Sequence, residues 1–354
     1  MAYTTIDNPE LFFQTKLYSG TGSSQSVTLD GDENMQPDWV WGKGRTLAGY
    51  NHGIVDSVRG VSKLIYSNLT DAEDTYSTGI TSLNTDGFTT GSGNVFNNGS
   101  NTYVAWCWKT GTSFSNDASA TGIGTIDSSG SVSDDSGFSI VSYTGTGSAG
   151  TIKHGLSSTP LITLIKQRSS GGTGGGHWNF ITYQIDGTSD ELNLNKTAAK
   201  TDRSITAPTS SVFSVDTSDE RNDSGQTYIC YCFAEKKGYS KFGTYTGNGN
   251  ADGTFVYTGF KPAFVMTKKT SSSTARNWCI LDNKRSSSGA NVVDDRLFPN
   301  LTDAEDSSTS ADFLSNGIKF RDNAGEFNQP VSYIYMAFAE SPFVNSNGVP
   351  CNAR

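Results

Sequence analysis

The sequence predicts an all-β chain built as three tandem related β-sandwich or jelly-roll-like domains with short helical turns. Three observations carry this expectation. The chain is turn-rich, with 39 Gly and only 9 Pro among many Ser, Thr and Asn. Its apolar fraction is 34%, yet aromatics reach 11%. Disordered chains lack aromatics, so thin, aromatic-rich cores bounded by turns are expected. Short apolar runs also recur at matching places along the chain.

The repeats set the domain plan. "YSGTG" begins at Tyr18, "YTGTG" at Tyr143 and "YTGNG" at Tyr245. A proline follows each, at Pro37, Pro160 and Pro262, and a lysine comes six residues later, at Lys43, Lys166 and Lys268. Each stretch closes on a tyrosine-led run: "TYVAWCWK" (102–109), "TYICYCFAE" (227–235) and "SYIYMAFAE" (332–340). Tyr18 to Tyr143 and Tyr103 to Tyr228 are both 125 positions, and the next offsets are 102 to 105. The expected domains are 1–110, 136–238 and 239–354, the last with a C-terminal tail. Segment 111–135 is rich in Ser, Gly and Asp and reads as a linker or surface loop.

Within each copy, "DWVWGK" (38–43), "LITLIK" (161–166) and "AFVMTK" (263–268) read as strands buried on both faces. Each is expected to start after its proline and to end in a lysine that reaches water. The tyrosine-led runs are β-rich, and "TFVYTGF" (254–260) adds a strand in copy three. Gly-rich pieces such as "SSGGTGGG" (169–176) supply turns.

One phrase stands out. "NLTDAED" occurs at 68–74 and again at 300–306. The matching place in copy two reads "NLNKTAAKT" (193–201), without the acids. A calcium loop essential to the fold would keep its acids throughout. The phrase therefore reads as a capped helical turn or tight loop. Asp71, Glu73, Asp303 and Glu305 remain weak candidates as metal ligands, because EF-hand spacing is missing. Asp56-x-x-Arg59 and Asp282-x-x-Arg285 read as charge-assisted pairs that close a turn.

Several function classes are disfavoured. A formal net charge of −9 argues against nucleic acid. The opening Met1-Ala2-Tyr3-Thr4-Thr5 does not read as a signal peptide, and no apolar run approaches membrane-helix length. Without secretion, the N-glycosylation pattern at Asn68 and Asn300 carries little weight. No hydrolase elbow, phosphate loop or zinc-protease motif is found, and the three histidines do not repeat between copies. The expectation is no enzyme, no cofactor, no nucleic acid and no membrane insertion. Cysteines alternate with alanine between copies, as at Cys107, Cys232 and Ala337, so they read as small buried hydrophobes with free thiols. Cys351 is the one expected to be exposed.

Trp39 and Trp41, two apart as are Trp106 and Trp108, are matched in the other copies by Ile162 and Phe264 and by Leu164 and Met266, which reads as core rather than sugar platform. Binding is expected instead in the loops that differ most: Thr46–His52, Ser169–Trp178 and Thr270–Asn277. The candidate ligand-binding residues there are Tyr50, His52, His177, Trp178 and Arg276.

The phrases "NPELFFQTKLYSGTGSSQSV", "QPDWVWGKGR", "NTYVAWCWK", "CFAEKKGYSKFGTYTGNGNADGTFVYTGFKPAFVMTK" and "YIYMAFAESPF" resemble a family of virion proteins from tailed, mostly marine, bacteriophages. The resemblance runs over nearly the whole chain and carries no catalytic residues. It implies a virion part assembled in the bacterial host cytoplasm, with other virion proteins as partners. It also implies a homo-oligomer, with a trimer expected from the architecture class. The leading expectation is a tail fibre or spike component that contacts the host surface through glycan. Two alternatives are a head-decoration or head-fibre protein with no receptor, and a polysaccharide depolymerase with paired acids in a groove between domains.

Overall fold

The computed structural model describes residues 2–271, 274–286 and 291–351. It is an all-β, sandwich-like fold. Helix among the described residues is confined to Asn94–Asn97, Ala118–Thr121, Asp219–Asn222 and a single 3-10 turn at Pro9–Leu11.

The same antiparallel pairing scheme occurs three times. In each repeat a leading strand pairs with the closing strand, which pairs with the post-proline strand, which pairs with a fourth strand. In the first repeat these are Phe13–Ser19, Thr102–Trp108, Trp39–Gly44 and Gly53–Asp56. In the second they are Phe138–Thr144, Thr227–Phe233, Ile162–Gln167 and Asn179–Thr182. In the third they are Ser240–Thr246, Ser332–Pro342, Phe260–Lys269 and Cys279–Asp282. A smaller sheet covers one face of each; in the second repeat it is only Gly150–Lys153 paired with Val212–Val215. The third post-proline strand starts before Pro262 and accommodates it with shifts of register there, since proline cannot donate to the ladder.

The repeated phrases are local devices that shape this scheme. Tyr18, Tyr143 and Tyr245 lie flat against Tyr103, Tyr228 and Tyr333, with ring centroids 5.2, 5.1 and 5.2 Å apart. The glycine two residues on has no room for a side chain: a Cβ at Gly20, Gly145 or Gly247 would lie 2.0, 2.3 or 2.2 Å from a carbonyl oxygen. Asn97, Asn222 and Asn328 clamp the turn that follows, accepting from the backbone N–H of Thr21, Thr146 and Asn248. Sequence reading did not single out these asparagines, although they recur 125 and 106 positions apart, close to the repeat spacing.

Alternation along the strands explains burial on both faces. In the closing strands Ala105 and Cys107, Cys230 and Cys232, and Tyr335 and Ala337 point into three separate interiors, one per repeat. Their neighbours Trp106 and Trp108, Tyr231 and Phe233, and Met336 and Phe338 point the other way into one common core. Rings from all three repeats meet there. Trp39 lies 4.7 Å from Tyr231, Phe233 lies 6.0 Å from Phe338, and Trp108 lies 5.5 Å from Phe264. The three sandwiches therefore pack as a closed ring within one chain. The N-terminal segment joins the third repeat through Tyr3 Oη, which donates to Gly259 O at 2.7 Å.

Segment 111–135 differs from its reading as a linker. Thr112–Asn116 and Ser128–Ser133 extend the second sheet beyond its leading strand, and Ala118–Thr121 between them is capped by Asp117. Polar composition suits strands at a sheet edge, where much of the surface meets water. Gly130 fits because a Cβ there would lie 2.0 Å from Ile140 O.

Candidate functional site

The most organised polar site lies where the repeats meet. The lysines after the prolines do not reach water: Lys43, Lys166 and Lys268 are 0%, 0% and 1% exposed. Each crosses into a neighbouring repeat and donates to a threonine carbonyl. Lys166 Nζ reaches Thr70 O at 3.1 Å and Asp71 O at 2.8 Å. Lys268 Nζ reaches Thr197 O at 3.0 Å, and Lys43 Nζ reaches Thr302 O at 3.3 Å. The second repeat thus locks into the first, the third into the second, and the first into the third. A buried ammonium is tolerated because carbonyls replace its water.

This gives the "NLTDAED" phrase a role. It forms no helix; it is the extended loop that receives the neighbour's lysine. Its asparagine and threonine persist in the second repeat as Asn195 and Thr197. Asn68, Asn195 and Asn300 accept from the backbone N–H of His52, Trp178 and Trp278, tying each loop to its own repeat. Trp178 and Trp278 then reach across, donating to Tyr66 O at 2.8 Å and Asn193 O at 3.0 Å. His52 takes the third equivalent place, with Nδ1 accepting from Trp41 Nε1 at 3.2 Å and Nε2 buried without a hydrogen-bond partner among the described residues.

Charge distinguishes the interfaces. Between the second and first repeats, Arg168 and Arg59 share Glu73 at 2.9 and 3.3 Å, Arg59 pairs with Asp56 at 2.5 Å, and Tyr231 Oη donates to Asp56 at 2.7 Å. Between the first and third repeats, Arg45 and Arg285 share Glu305 at 2.6 and 2.9 Å. Arg285 pairs with Asp282 at 2.5 Å, and Trp106 Nε1 donates to Asp282 at 2.9 Å. The third interface carries Thr270, Lys200, Ile185, Thr182 and Met336 at these places, and Ile185 packs on the common core. Burial alone would lower the Arg59 pKa, but the charge and hydrogen bond of Asp56 and the charge of Glu73 outweigh it and hold it above its ordinary value.

A single family model matches residues 8–342, through all three repeats. The chain belongs to the family described as a domain of unknown function, DUF7483. No curated protein matches the sequence. The DUF7483 span holds all three lysines and all three receiving loops, so the family unit corresponds to the whole ring.

Within this DUF7483 ring the candidate residues from the sequence are brought to the joints. Glu73 and Glu305, weighed as metal ligands, are each held by two arginines. Asp71 offers its carbonyl to Lys166, and Asp303 opposes the lowering of Lys43. The four acids are thus set against the protein's own cations. The loops chosen for recognition also serve the joints. Tyr50 O accepts from Lys43 at 2.8 Å, His52 and Trp178 are buried, and His177 Nδ1 lies 3.0 Å from Asn195 Nδ2. Arg276 donates its backbone N–H to Thr197 O. Residues 272 and 273 of Thr270–Asn277 lie outside the described residues. Gly176 illustrates the close fit: its φ is +66°, and a Cβ would lie 2.2 Å from Thr70 O.

Among the described residues, one group of carboxylates has the mutual spacing of a metal site: Asp186, Asp190 and Asp202. Lys200 Nζ already sits against all three, at 2.5, 2.6 and 2.6 Å.

The lysine locks predict a pH dependence. Burial lowers the pKa of Lys43, Lys166 and Lys268 from 10.5 to about 8 in each case; Lys269 adds to the lowering at Lys268, and Asp303 and Asp71 oppose it at Lys43 and Lys166. From about pH 8 the unfolded chain therefore binds more protons at these three sites than the folded one, which makes stability rise with pH. Above about pH 9 the slope reverses, because burial holds Cys107, Cys230 and Cys279, and then Tyr18, Tyr143 and Tyr245, protonated in the fold. Thermal unfolding scans should show this maximum. Replacing the three lysines by Met should flatten its rising side.

Proposed function

We propose that this chain is a structural component of a tailed-phage virion, a tail fibre- or spike-associated protein that contacts the host surface. The sequence resemblance suggests the particle. The observation that favours a structural role is the use of the repeated polar residues. The lysines, the asparagine–threonine loops, and the arginine–carboxylate chains all hold three sandwiches in one rigid body. Such a body suits a load-bearing appendage.

Other virion proteins are the proposed partners. Three like sandwiches in one chain give a single copy the threefold form that three chains would otherwise supply. A copy can then seat on a threefold partner, and homo-trimerisation is a separate option within this reading.

The test is gold-labelled antibody electron microscopy on intact particles. Label at the tail or its fibres is the expected result. Label spread over the head would replace host contact by head decoration, and particles without label would remove the virion reading altogether.

A further inference from the structure

We infer that the joint between the first and third repeats is an acid-sensitive latch: protonation of His52 opens it while the other two joints stay closed. Two features set this joint apart. The first and third repeats are not consecutive in the chain, so no connecting segment backs their contact. The other two joints are bridged by residues 109–137 and 234–239. The joint between the first and third repeats also has an imidazole where the others have an indole.

At those joints Trp178 and Trp278 carry an indole N–H across to Tyr66 O and Asn193 O. His52 stands in that place here and is 0% exposed. Its shorter ring makes no such bond. Nδ1 accepts from Trp41 Nε1, so the neutral ring carries its proton on Nε2, which has no hydrogen-bond partner among the described residues. The imidazole lies nearly parallel to Trp106 with ring centroids 6.4 Å apart, and both Trp41 and Trp106 belong to the common core.

A second proton is not accommodated in the closed joint. It would bind Nδ1, where the Trp41 N–H already points, so two donors would face each other. Burial holds the imidazole neutral, and the charges of Lys43 from the first repeat and Arg285 from the third add to this. The acids of the joint are committed to other cations. Asp282 pairs with Arg285, Glu305 with Arg285 and Arg45, and Asp303 acts on Lys43. A buried cation without acceptor or counter-charge is costly, and opening the joint gives the imidazolium water. The closed form therefore binds the proton less readily than the open one, so acidification favours opening. The indoles at the equivalent places of the other joints take up no proton. His177, beside Trp178, is only half-buried, so water can solvate its charge without opening the joint.

The backbone supplies one reporter for each joint. The N–H groups of Glu305, Glu73 and Lys200 donate across the three equivalent joints to Arg45 O, Arg168 O and Thr270 O. The experiment is hydrogen exchange of the full chain at about pH 7.5 and about pH 5.5, resolved to these residues by mass spectrometry and corrected for the intrinsic effect of pH. An imidazole in the open joint titrates near its ordinary value of about 6.5. Protection at Glu305 should therefore fall by about tenfold at the lower pH, while protection at Glu73 and Lys200 stays within about twofold. His52→Gln stays neutral and can still accept from Trp41, so it should remove the fall at Glu305. His52→Trp copies the other joints, should do the same, and serves if His52→Gln fails to fold. His154→Gln should leave the fall in place, because His154 lies within the second repeat, against Thr209 O. Unchanged protection at Glu305, an equal fall at all three reporters, a fall that persists in a folded His52 variant, or its loss in His154→Gln would each overturn the latch.

Discussion

Arg59→Ala is expected to destabilise the protein by about 3–5 kcal/mol, the usual cost of leaving a buried charge without its partner. The Arg59 side chain is fully buried and donates to Asp56, Glu73, Ile54 O and Lys63 O. Its loss strands the Asp56 carboxylate, whose other charged or hydroxyl contact is Tyr231. The cost is not the net worth of the charge chain, as the third interface indicates: it closes the same joint with Thr182, Ile185 and Met336. Rebuilding the first joint on that plan, with Asp56→Thr, Arg59→Ile, Glu73→Ala, Arg168→Thr and Tyr231→Met together, should therefore recover most of the loss. The combined variant is expected within about 2 kcal/mol of the parent, since apolar replacements of whole buried ion pairs are often neutral. Urea unfolding of the two variants checks both values. A combined variant as unstable as Arg59→Ala would mean that the charge chain itself holds the joint.

The second large effect is expected at Trp39. Its ring lies 4.4 Å from Trp108 and 4.7 Å from Tyr231, so it joins the first and second repeats. The centre of the common core leaves a void of only about 10 Å³, lined from all three repeats, including Leu164 and Met266. Trp39→Ala would open a cavity that the surrounding strands, fixed by the locks, cannot close; a loss of about 3–5 kcal/mol is expected. Trp39→Phe should cost clearly less than Trp39→Ala, because it leaves a smaller cavity and Trp39 Nε1 has no hydrogen-bond partner among the described residues for phenylalanine to lose. Equal losses in the two variants would contradict the reading of Trp39 as a ring that fills volume.

The sequence carried the all-β class and the double-sided burial of the post-proline strands, because turn composition and apolar runs are local signals. It did not carry the destination of the lysines. Lys43, Lys166 and Lys268 end their strands as residues that normally reach water do, and only the neighbouring repeat supplies the carbonyls that bury them. The loop phrase was half legible. The missing acids of the second repeat drew attention, whereas the retained Asn195 and Thr197 do the common work. Segment 111–135 misled because an edge strand and a loop share the same polar composition. Trp278 was passed over, although it matches Trp178 in position, and His52 occupies the third place with a different ring.

The central claim is that three sandwiches share one core and lock in a ring, so that none is stable apart from the others. The chain contains its own reporters. Cys107, Cys230 and Cys232, and Cys279 are free and buried in the first, second and third repeats. Pulsed thiol labelling along a urea gradient, read site by site by mass spectrometry, follows each repeat separately. The ring predicts that all of these thiols become reactive together, at one urea concentration, in a single transition. Reactivity that appears in separate steps, with one repeat opening while the others stay closed, would contradict it.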